Sequence, residues 1–261
     1  MKKQRKVVYY TDALNDEFSG TRIKRIPLGN YQYVSRNIFF RMFSWFIYWV
    51  LAFPIFWIGC KLIYHVRVRG RKNRRLTKGQ GVFIYGNHTQ IADAFTGQIF
   101  AARGKRAYIV CNQDATSIRG VRWIVKALGC IPTPENSSEA ERFTAAVKKR
   151  IKQKRAIVIF PEAHIWPYST HIRPFGSESF ALPAELGVPV VAMAATYRKR
   201  KILKSRPPYI TLHISKPFYP NMKLSFPDRK KELRDYVYDY LLDKAASEEN
   251  YEYIAYVKKK D

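Results

Sequence analysis

A histidine and an aspartate stand five residues apart in the stretch GNHTQIADAF, residues 86–95. Asp93 can accept a hydrogen bond from one nitrogen of the His88 imidazole and so fix its tautomer. The other nitrogen is then free to take a proton from a hydroxyl group. Because residues five apart diverge by about 140° in a regular helix, the pair can meet only if His88 lies in a turn and Asp93 in the helix that follows. The alternative is a turn histidine beside a helix-capping aspartate.

A carboxylate occupies a comparable position 74 residues later, in IVIFPEAH, residues 157–164. Glu162 follows an apolar run and a proline, as His88 follows the apolar run VFIY. Both runs are typical of buried strands, and open α/β sheets place their active sites at the carboxyl ends of strands. A single carboxylate after a strand could simply cap a helix. Two strand-end sites of this kind together favour an active site.

The elements that would position these residues recur along the chain from about residue 80. Short apolar runs are bounded by glycine, proline or charge: VFIYG (82–86), AYIVC (107–111), AIVIF (156–160), VPVVAMAATY (188–197) and YITLHIS (209–215). Helix-like segments at 92–102 and 137–153 lie between them, the second beginning with a capping-box pattern at Ser138 and Glu141. Another follows Pro227. This alternation predicts an α/β fold with a mostly parallel sheet flanked by helices.

Ahead of this domain, residues 42–60 form an uncharged stretch of 19 residues, MFSWFIYWVLAFPIFWIGC. As a straight helix it would reach ~28 Å, close to the ~30 Å hydrocarbon core of a bilayer. Pro54 interrupts it, and three tryptophans within it favour the membrane interface. Positive charge on both flanks favours a membrane-associated helical hairpin that enters one leaflet and returns. A true span and a buried core helix are the alternatives. The flanking cations are Arg22, Lys24, Arg25, Arg36 and Arg41 before it and Lys61, Arg67, Arg69, Arg71, Lys72, Arg74 and Arg75 after it.

The charge of the chain indicates an anionic partner. Lys and Arg number 47 against 20 Asp and Glu, which gives a formal net charge of +27 over 261 residues. A surplus of this size suits a protein that binds nucleic acid, acidic substrates or an anionic membrane surface. The cytoplasmic leaflet of a membrane is such a surface. No P-loop, zinc-finger, RNP-like or basic-zipper pattern is present, and the long apolar stretch argues against a nucleic-acid partner. The cysteines, Cys60, Cys111 and Cys130, are predicted to be reduced, buried thiols of a cytosol-facing protein. No paired Cys/His spacing indicates a metal.

Four blocks in matching order resemble the glycerolipid acyltransferase family that includes lysophosphatidic acid acyltransferase. The N-H-x4-D block is Asn87 to Asp93, and the F-P-E-G block is Phe160 to Ala163. A G-x-I-P segment stands at 129–132, and the closing V-P strand begins at Val188. The resemblance covers about residues 80 to 200.

The resemblance implies an O-acyltransferase. His88 would act as general base on an acceptor hydroxyl, and Asp93 would orient it. The hydroxyl would attack an acyl thioester of CoA or acyl carrier protein, which are co-substrates, so no cofactor or metal is expected. The acceptor would be the hydroxyl of a glycerolipid or lysophospholipid-like membrane lipid. The substrate-binding candidates are Asn87, Glu162, His164 and Arg173. His171 is a further candidate for lining the acceptor pocket with His164 and Arg173, and a loop or core role is the alternative for these three.

The chain departs from the family at its phosphate-binding cations. Glu135 stands where an arginine usually follows the G-x-I-P segment, and Ala163, His164 and Ile165 stand where the family has G-T-R. Arg173 is the nearby cation in the next block. Since those cations are expected to hold the phosphate of the acceptor, the acceptor is predicted not to be glycerol 3-phosphate or lysophosphatidic acid. Another hydroxylated lipid, such as a non-phosphorylated one, or a lipid with a larger headgroup is predicted instead. A catalytically altered relative that acts as a membrane-bound interaction module is the alternative.

The predicted organisation has four parts. A basic segment covers residues 1–36, a membrane-associated helical segment covers 37–66, and an α/β acyltransferase domain covers 67–226. A helix and basic tail cover 227–261. The protein is predicted to lie at the cytoplasmic face of a membrane, either monotopic or with a single span, and its oligomeric state stays open.

Overall fold

A computed structural model describes residues 6–18, 26–102, 104–117, 120–202 and 206–259. Three of the flanking cations named above, Arg22, Lys24 and Arg25, lie outside these ranges. The core is a seven-stranded sheet in the order β2-β8-β7-β3-β6-β4-β5. Its strands are β2 Arg67–Arg69, β3 Val82–Gly86, β4 Ala107–Cys111, β5 Cys130–Pro132, β6 Ala156–Ile159, β7 Val190–Arg198 and β8 Tyr209–Ile214. All neighbours run parallel except β7 and β8, which confirms the predicted mostly parallel α/β fold.

Helices cover both faces of this sheet, because successive side chains of a strand point to opposite sides. Val82 and Ile84 join one buried cluster, and Phe83 and Tyr85 join the other. The helices are α3 Asp93–Thr96, continued by a π-helical turn to Ala101, α4 Asp114–Ser117, α5 Arg122–Ala127, α6 Ser137–Lys152, α7 Ala181–Leu186 and α8 Phe226–Ala245. With both faces covered, the central strands read as continuous apolar runs.

The start of α6 differs from the sequence prediction by two residues. The side chain of Asn136 caps the helix by accepting the backbone N–H of Glu139 at 2.9 Å, so Ser138 is not the cap. Glu139 reaches back and accepts the backbone N–H of Glu135 at 2.9 Å. Asn is as good a cap as Ser, and the spacing of Asn136 and Glu139 matches the capping box as well as the spacing of Ser138 and Glu141 does.

The apolar stretch forms one helical run, Ile38–Leu62, and not a hairpin. This run, called the apolar helix below, consists of α1 Ile38–Phe46, a π-helical segment Ile47–Ala52, and α2 Phe53–Leu62. The Phe53 N–H bonds to the Tyr48 carbonyl, five residues back. This wider turn accommodates the ring of Pro54, which would otherwise clash with the preceding turn. The prediction of a hairpin was wrong because the π-helical segment accommodates Pro54, so the helix continues past the proline without a turn.

The apolar helix is long and apolar enough to cross a membrane, but one of its faces is packed on the domain. Ser44 Oγ donates to the Ala127 carbonyl at 2.7 Å, and Tyr48 Oη accepts the Ala107 N–H at 3.1 Å. Further along, Cys60 is buried in the core. These contacts hold the helix along the body. The opposite face exposes large apolar side chains: Ile38, Phe39, Met42, Trp45, Phe46, Val50, Leu51, Ile55, Trp57, Ile58 and Leu62.

Two of the three cysteines form a disulfide, contrary to the prediction of reduced thiols. Cys111 at the end of β4 pairs with Cys130 at the start of β5, with Cα atoms 6.2 Å apart. Their separation of 19 residues in sequence concealed this, because β4 and β5 become neighbours only when the intervening helices fold back. Cys60 is a free, buried thiol as predicted.

A second, two-stranded sheet joins distant parts of the chain. Strand β1 Lys6–Tyr10 pairs in parallel with β9 Ile254–Lys258. The segments predicted as a basic N-terminal segment and a basic tail therefore contribute ordered strands. Together with Phe18 they pack on Trp166, six residues beyond the Phe160-Pro161 strand end. Neither segment carries a sequence signal for this pairing, because the two strands are far apart in the chain.

Candidate active site

The His88–Asp93 pair lies at the carboxyl end of β3, as the turn-to-helix argument predicts. His88 Nδ1 is 3.4 Å from Asp93 Oδ2. Asp93 begins α3, and the same oxygen accepts the backbone N–H groups of Thr89 at 2.6 Å and Gln90 at 2.7 Å. The Asp93 side chain is 3% exposed and the His88 side chain 16%. The imidazole therefore has one nitrogen facing a fixed carboxylate and keeps partial access to solvent.

The turn that carries His88 is fixed on two sides. The Asn87 amide donates to the Ala195 carbonyl at 3.0 Å and accepts the Ala195 N–H at 2.8 Å, which ties the turn to β7. The His88 ring stacks on Phe160, with centroids 4.4 Å apart. That contact needs Gly86, because a Cβ there would lie 3.0 Å from the Phe160 ring and 3.1 Å from the Met193 carbonyl. Both the amide nitrogen and the amide oxygen of Asn87 are therefore hydrogen-bonded to β7. A contact between Asn87 and substrate stays a prediction.

Glu162 is brought to the same edge of the sheet, but it is sealed from solvent. Its carboxylate accepts the His88 backbone N–H at 3.3 Å and the Arg173 backbone N–H at 3.2 Å. The Arg173 guanidinium contacts it at 3.2 Å, with side chains 3% and 2% exposed. Burial raises the pKa of the Glu162 carboxyl, and the Arg173 charge and the two N–H donors oppose that rise. This ion pair positions the backbone beneath His88.

The other predicted site residues sit in the loop between Glu162 and Arg173. The His164 carbonyl accepts a hydrogen bond from the Arg173 guanidinium. The imidazole Nδ1 of His164 lies 3.9 Å from the Glu17 carboxylate. His171 is the more exposed, 3.6 Å from Glu252. The guanidinium carbon of Arg173 lies over the Trp166 ring, 5.0 Å from the ring centroid. Neither histidine is hydrogen-bonded to the His88–Asp93 pair, so a role in substrate binding stays a prediction for both.

Three further residues support the site without having been singled out from the sequence. Tyr197 of β7 donates its hydroxyl to Thr89 Oγ1 at 2.6 Å, and burial raises its pKa well above the usual value. The Trp166 and Tyr168 N–H groups bond to the carbonyls of His88 and Thr89 at 3.1 and 3.0 Å. The tyrosine at the end of the VPVVAMAATY run had no visible partner in the sequence, since its partner is 108 residues away.

The apolar helix also reaches this edge of the sheet. Phe56 of α2 stacks on Phe95 of α3, with centroids 3.5 Å apart and nearly parallel rings. Phe95 is two residues beyond Asp93, so the apolar helix directly contacts the short helix that carries the carboxylate. Among the described residues, no three His, Cys, Asp or Glu side chains are grouped to hold a metal ion.

Comparison with known proteins is consistent with this geometry. The sequence model of the acyltransferase family matches residues 65–196, which include His88, Asp93 and Glu162. No curated protein sequence matches the chain. The fold is similar to that of the 1-acyl-sn-glycerophosphate (LPA) acyltransferase PlsC from Thermotoga maritima, at a TM-score of 0.52 and 18% identity, over 81% of this chain and 97% of that one. Since the family model spans half of the sequence, the chain belongs to the acyltransferase family.

Proposed function

We propose that this protein is a membrane-associated O-acyltransferase that moves a fatty acyl group from a thioester of CoA or acyl carrier protein to the hydroxyl of a glycerolipid or lysophospholipid-like acceptor. The observation that carries the proposal is the His88–Asp93 pair. One imidazole nitrogen faces a buried carboxylate at 3.4 Å, and the ring keeps access to solvent. A serine or cysteine nucleophile is not needed, because the acceptor supplies its own oxygen.

The proposed step uses the free nitrogen of His88. As the acceptor oxygen attacks the thioester carbonyl carbon, His88 Nε2 takes the hydroxyl proton. The C–O bond forms, the C–S bond breaks, and the departing thiolate receives the proton from His88. Asp93 stabilises the imidazolium in between and keeps Nδ1–H directed toward itself. Because Asp93 also accepts the Thr89 and Gln90 N–H groups, its position is set before substrate arrives.

A membrane lipid as acceptor is supported by the apolar helix. Its exposed face forms a contiguous apolar surface of the kind that marks a membrane contact in a monomer. The opposite face is attached to the body at Ser44, Tyr48 and Phe56. A helix held along its length by the domain suits one that lies in the interface, and we infer a monotopic arrangement. Contact between Phe56 and Phe95 would place the catalytic turn near the lipid surface.

The state of Arg173 supports an acceptor other than lysophosphatidic acid. Its guanidinium is buried and paired with Glu162, so it is unsuited to bind a phosphate that enters from solvent. Glu135, in place of a family arginine, is exposed in the turn after β5. We infer that the acceptor is a hydroxylated lipid without a phosphate monoester at this position.

The side of the membrane is the point on which two features conflict. The net charge of +27 favours the anionic cytoplasmic leaflet, whereas the Cys111–Cys130 disulfide is typical of an oxidising compartment. We propose the cytoplasmic face, on the strength of the charge. Protease digestion of sealed, oriented membrane vesicles tests this, since only a domain on the outer side of the vesicle is cleaved without detergent.

The activity is tested with the purified full chain in lipid nanodiscs, supplied with acyl-CoA or acyl-acyl carrier protein. Free thiol release and mass spectrometry of the lipids follow the reaction. The acceptors to compare are lysophosphatidic acid, a lysophospholipid with a larger headgroup, and monoacylglycerol. The His88→Ala variant should lose acyl transfer, and the His65→Ala variant, which changes an exposed histidine outside the candidate site, should keep it.

Each outcome decides between the candidate functions. Transfer to monoacylglycerol or to the larger lysophospholipid, with loss in His88→Ala, supports the proposal. Brisk transfer to lysophosphatidic acid overturns the inference about the acceptor and leaves the acyl transfer intact. Absence of thiol release with every acceptor and both donors, from folded protein, favours a membrane-bound interaction module instead.

A further inference from the structure

A cleft of about 1200 Å³ opens at the edge of the sheet opposite to His88. Arg106 and Arg155 line it, and they immediately precede β4 and β6, whose first residues Ala107 and Ala156 are in register. Because β3, β4 and β6 are parallel, the amino ends of these strands lie at the edge away from the catalytic turn. His88 is six residues beyond the first residue of β3, so the cleft is roughly 20 Å from it at ~3.3 Å per residue.

The wall of the cleft carries positive charge and no carboxylate among the described residues that line it. Its cations come from the segment before α1, from α1, from the ends of α5 and α6, and from the starts of β4 and β6. They are Arg36, Arg41, Arg106, Lys126, Lys149, Arg150 and Arg155. Within the part of the chain that the structure describes, none of them forms a salt bridge. Seven unpaired cations around one cleft are an arrangement that a bound anion would stabilise.

Two of the arginines are held in place by the fold. Arg106 Nη2 donates to Ser44 Oγ and to the Ala127 carbonyl, each at 2.6 Å. Its Nε is buried and has no hydrogen-bond partner. Arg150 lies over the Tyr108 ring at 4.3 Å. Burial lowers the pKa of Arg150, and the charges of Arg106, Arg155 and Arg41 lower it further. A phosphate, which Arg binds with paired N–H donors, would offset the repulsion among these guanidinium groups.

The rim of the cleft points to a lipid as the source of that phosphate. Ile38, Met42, Trp45 and Phe46 of α1 line the cleft and are exposed. They are also part of the apolar face that we assign to the membrane. A headgroup phosphate in the cleft would therefore leave its hydrocarbon chains along α1, with Trp45 at the level of the headgroups. A soluble phosphate compound would leave this apolar rim exposed to water.

We propose that this cleft binds the phosphate of an anionic membrane lipid, at a site separate from the acceptor site at His88. The lipid would fix the protein on the membrane at the end of the apolar helix remote from the Phe56–Phe95 contact. Two attachment regions, one at each edge of the sheet, would set the orientation of the domain on the surface. The proposal concerns binding and does not depend on acyl transfer.

The test compares two variants of equal charge. Arg41→Gln/Lys149→Gln/Arg155→Gln removes three exposed cations of the cleft that form no side-chain bond within the fold. Lys152→Gln/Lys223→Gln/Lys231→Gln removes three exposed lysines that do not line it. Binding is measured by co-sedimentation with phosphatidylcholine vesicles that do or do not contain phosphatidylglycerol. Because each charged hydrogen bond to the phosphate strengthens binding by about tenfold or more, the cleft variant should bind the anionic vesicles at least about tenfold more weakly than the control variant.

Two single charge reversals test the proposal independently, in case the triple variant misfolds. Lys149→Glu changes a cleft residue and Lys152→Glu an exposed neighbour on the same helix, outside the cleft. Only the first should weaken binding to the anionic vesicles. Equal losses in cleft and control variants would overturn the proposal in favour of general surface charge. If the cleft variant binds vesicles as before but has a raised KM for acyl-CoA, the cleft binds the phosphates of CoA and not those of a lipid. If inorganic phosphate, followed by quenching of tryptophan fluorescence, binds as tightly as the anionic vesicles do, the phosphate does not need to come from a lipid, and the proposal is overturned as well.

Discussion

The turn after β3 and the loop after β6 lie at the same edge of one sheet, and each carries a carboxylate beside a basic side chain. In the first, His88 is partly exposed and bonds weakly to a fixed aspartate. In the second, Glu162 and Arg173 are both buried and in contact. The difference lies in the base, because His88 keeps access to solvent whereas Arg173 does not. In the proposed mechanism the His88–Asp93 pair exchanges a proton with substrate, and the buried Glu162–Arg173 pair holds the backbone of the turn that carries His88.

The largest expected effect comes from removing His88 or Asp93. We expect His88→Ala or Asp93→Ala to lower kcat for acyl transfer by roughly 10²–10⁴-fold, the contribution typical of a general base. Since the two act as one unit, the double variant should be little worse than either single variant. Steady-state rates of thiol release measure this, with His65→Ala as control. A variant without His88 that retained full rate would show that the base lies elsewhere.

Breaking the sealed pair should instead destabilise the protein. Glu162→Gln leaves the Arg173 charge buried without its partner, which costs ~3–5 kcal/mol of unfolding free energy. The matched control is Glu178→Gln, which removes an exposed partner of Lys230 and should cost no more than about 1 kcal/mol. Urea unfolding measures both. Equal, small losses in the two variants would mean that Glu162 is more hydrated than its burial indicates.

A second histidine sharpens the contrast between exposed and sealed groups. His213 of β8 is buried, with Nε2 2.9 Å from Thr196 Oγ1. Burial, together with the nearby charges of Arg69 and Lys244, lowers its pKa from 6.5 to about 4, and the charges of Glu249 and Asp243 oppose this shift. The unfolded chain binds this proton more readily, so the stabilisation is complete above pH 6.5 and is lost as the pH falls toward 4.

We expect this titration to remove roughly 1–3 kcal/mol of unfolding free energy between those pH values. Urea unfolding across this range should show a shallower pH dependence in His213→Gln than in the unsubstituted protein. His171→Gln, at an exposed position, should leave the dependence as it is. Parallel curves for His213→Gln and the unsubstituted protein would contradict the assignment.

The smallest effect concerns the backbone of the loop after β6. Ala163 has φ 64°, a left-handed conformation that costs a residue with a Cβ roughly 1–2 kcal/mol. Ala163→Gly should therefore raise the unfolding free energy by about 1 kcal/mol, whereas Ala145→Gly, the same change on exposed α6, should lower it by ~0.5–1 kcal/mol. Thermal unfolding distinguishes the two signs. Destabilisation by Ala163→Gly would show that the Ala163 methyl makes contacts worth more than the strain.

Local patterns predicted the central part of this protein well. The strands at 82–86 and 107–111 and helix α6 match the apolar runs and helical spacing almost to the residue, because both are set by neighbours in sequence. The meeting of His88 and Asp93 followed from helical geometry. Features that depend on distant residues were missed, and they include the Cys111–Cys130 disulfide, the Tyr197–Thr89 bond, and the burial of Arg173. The hairpin prediction failed because the rule for proline ignores the π-helical turn that accommodates it.

Strands β1 and β9 have a consequence for the order of assembly. Lys6 pairs with Ile254, so ~250 residues of chain are synthesised between the two partners. Contacts so far apart in sequence form late, since their loop-closure entropy is repaid only after the intervening core exists. The Trp166 N–H bonds to the His88 carbonyl, and the Trp166 ring packs on Ile254 and Tyr256 of β9. This packing cannot form until β9 has left the ribosome. The turn that carries His88 would then gain its final support only once the chain has been made through β9, so the candidate site would be the last part of the fold to be completed.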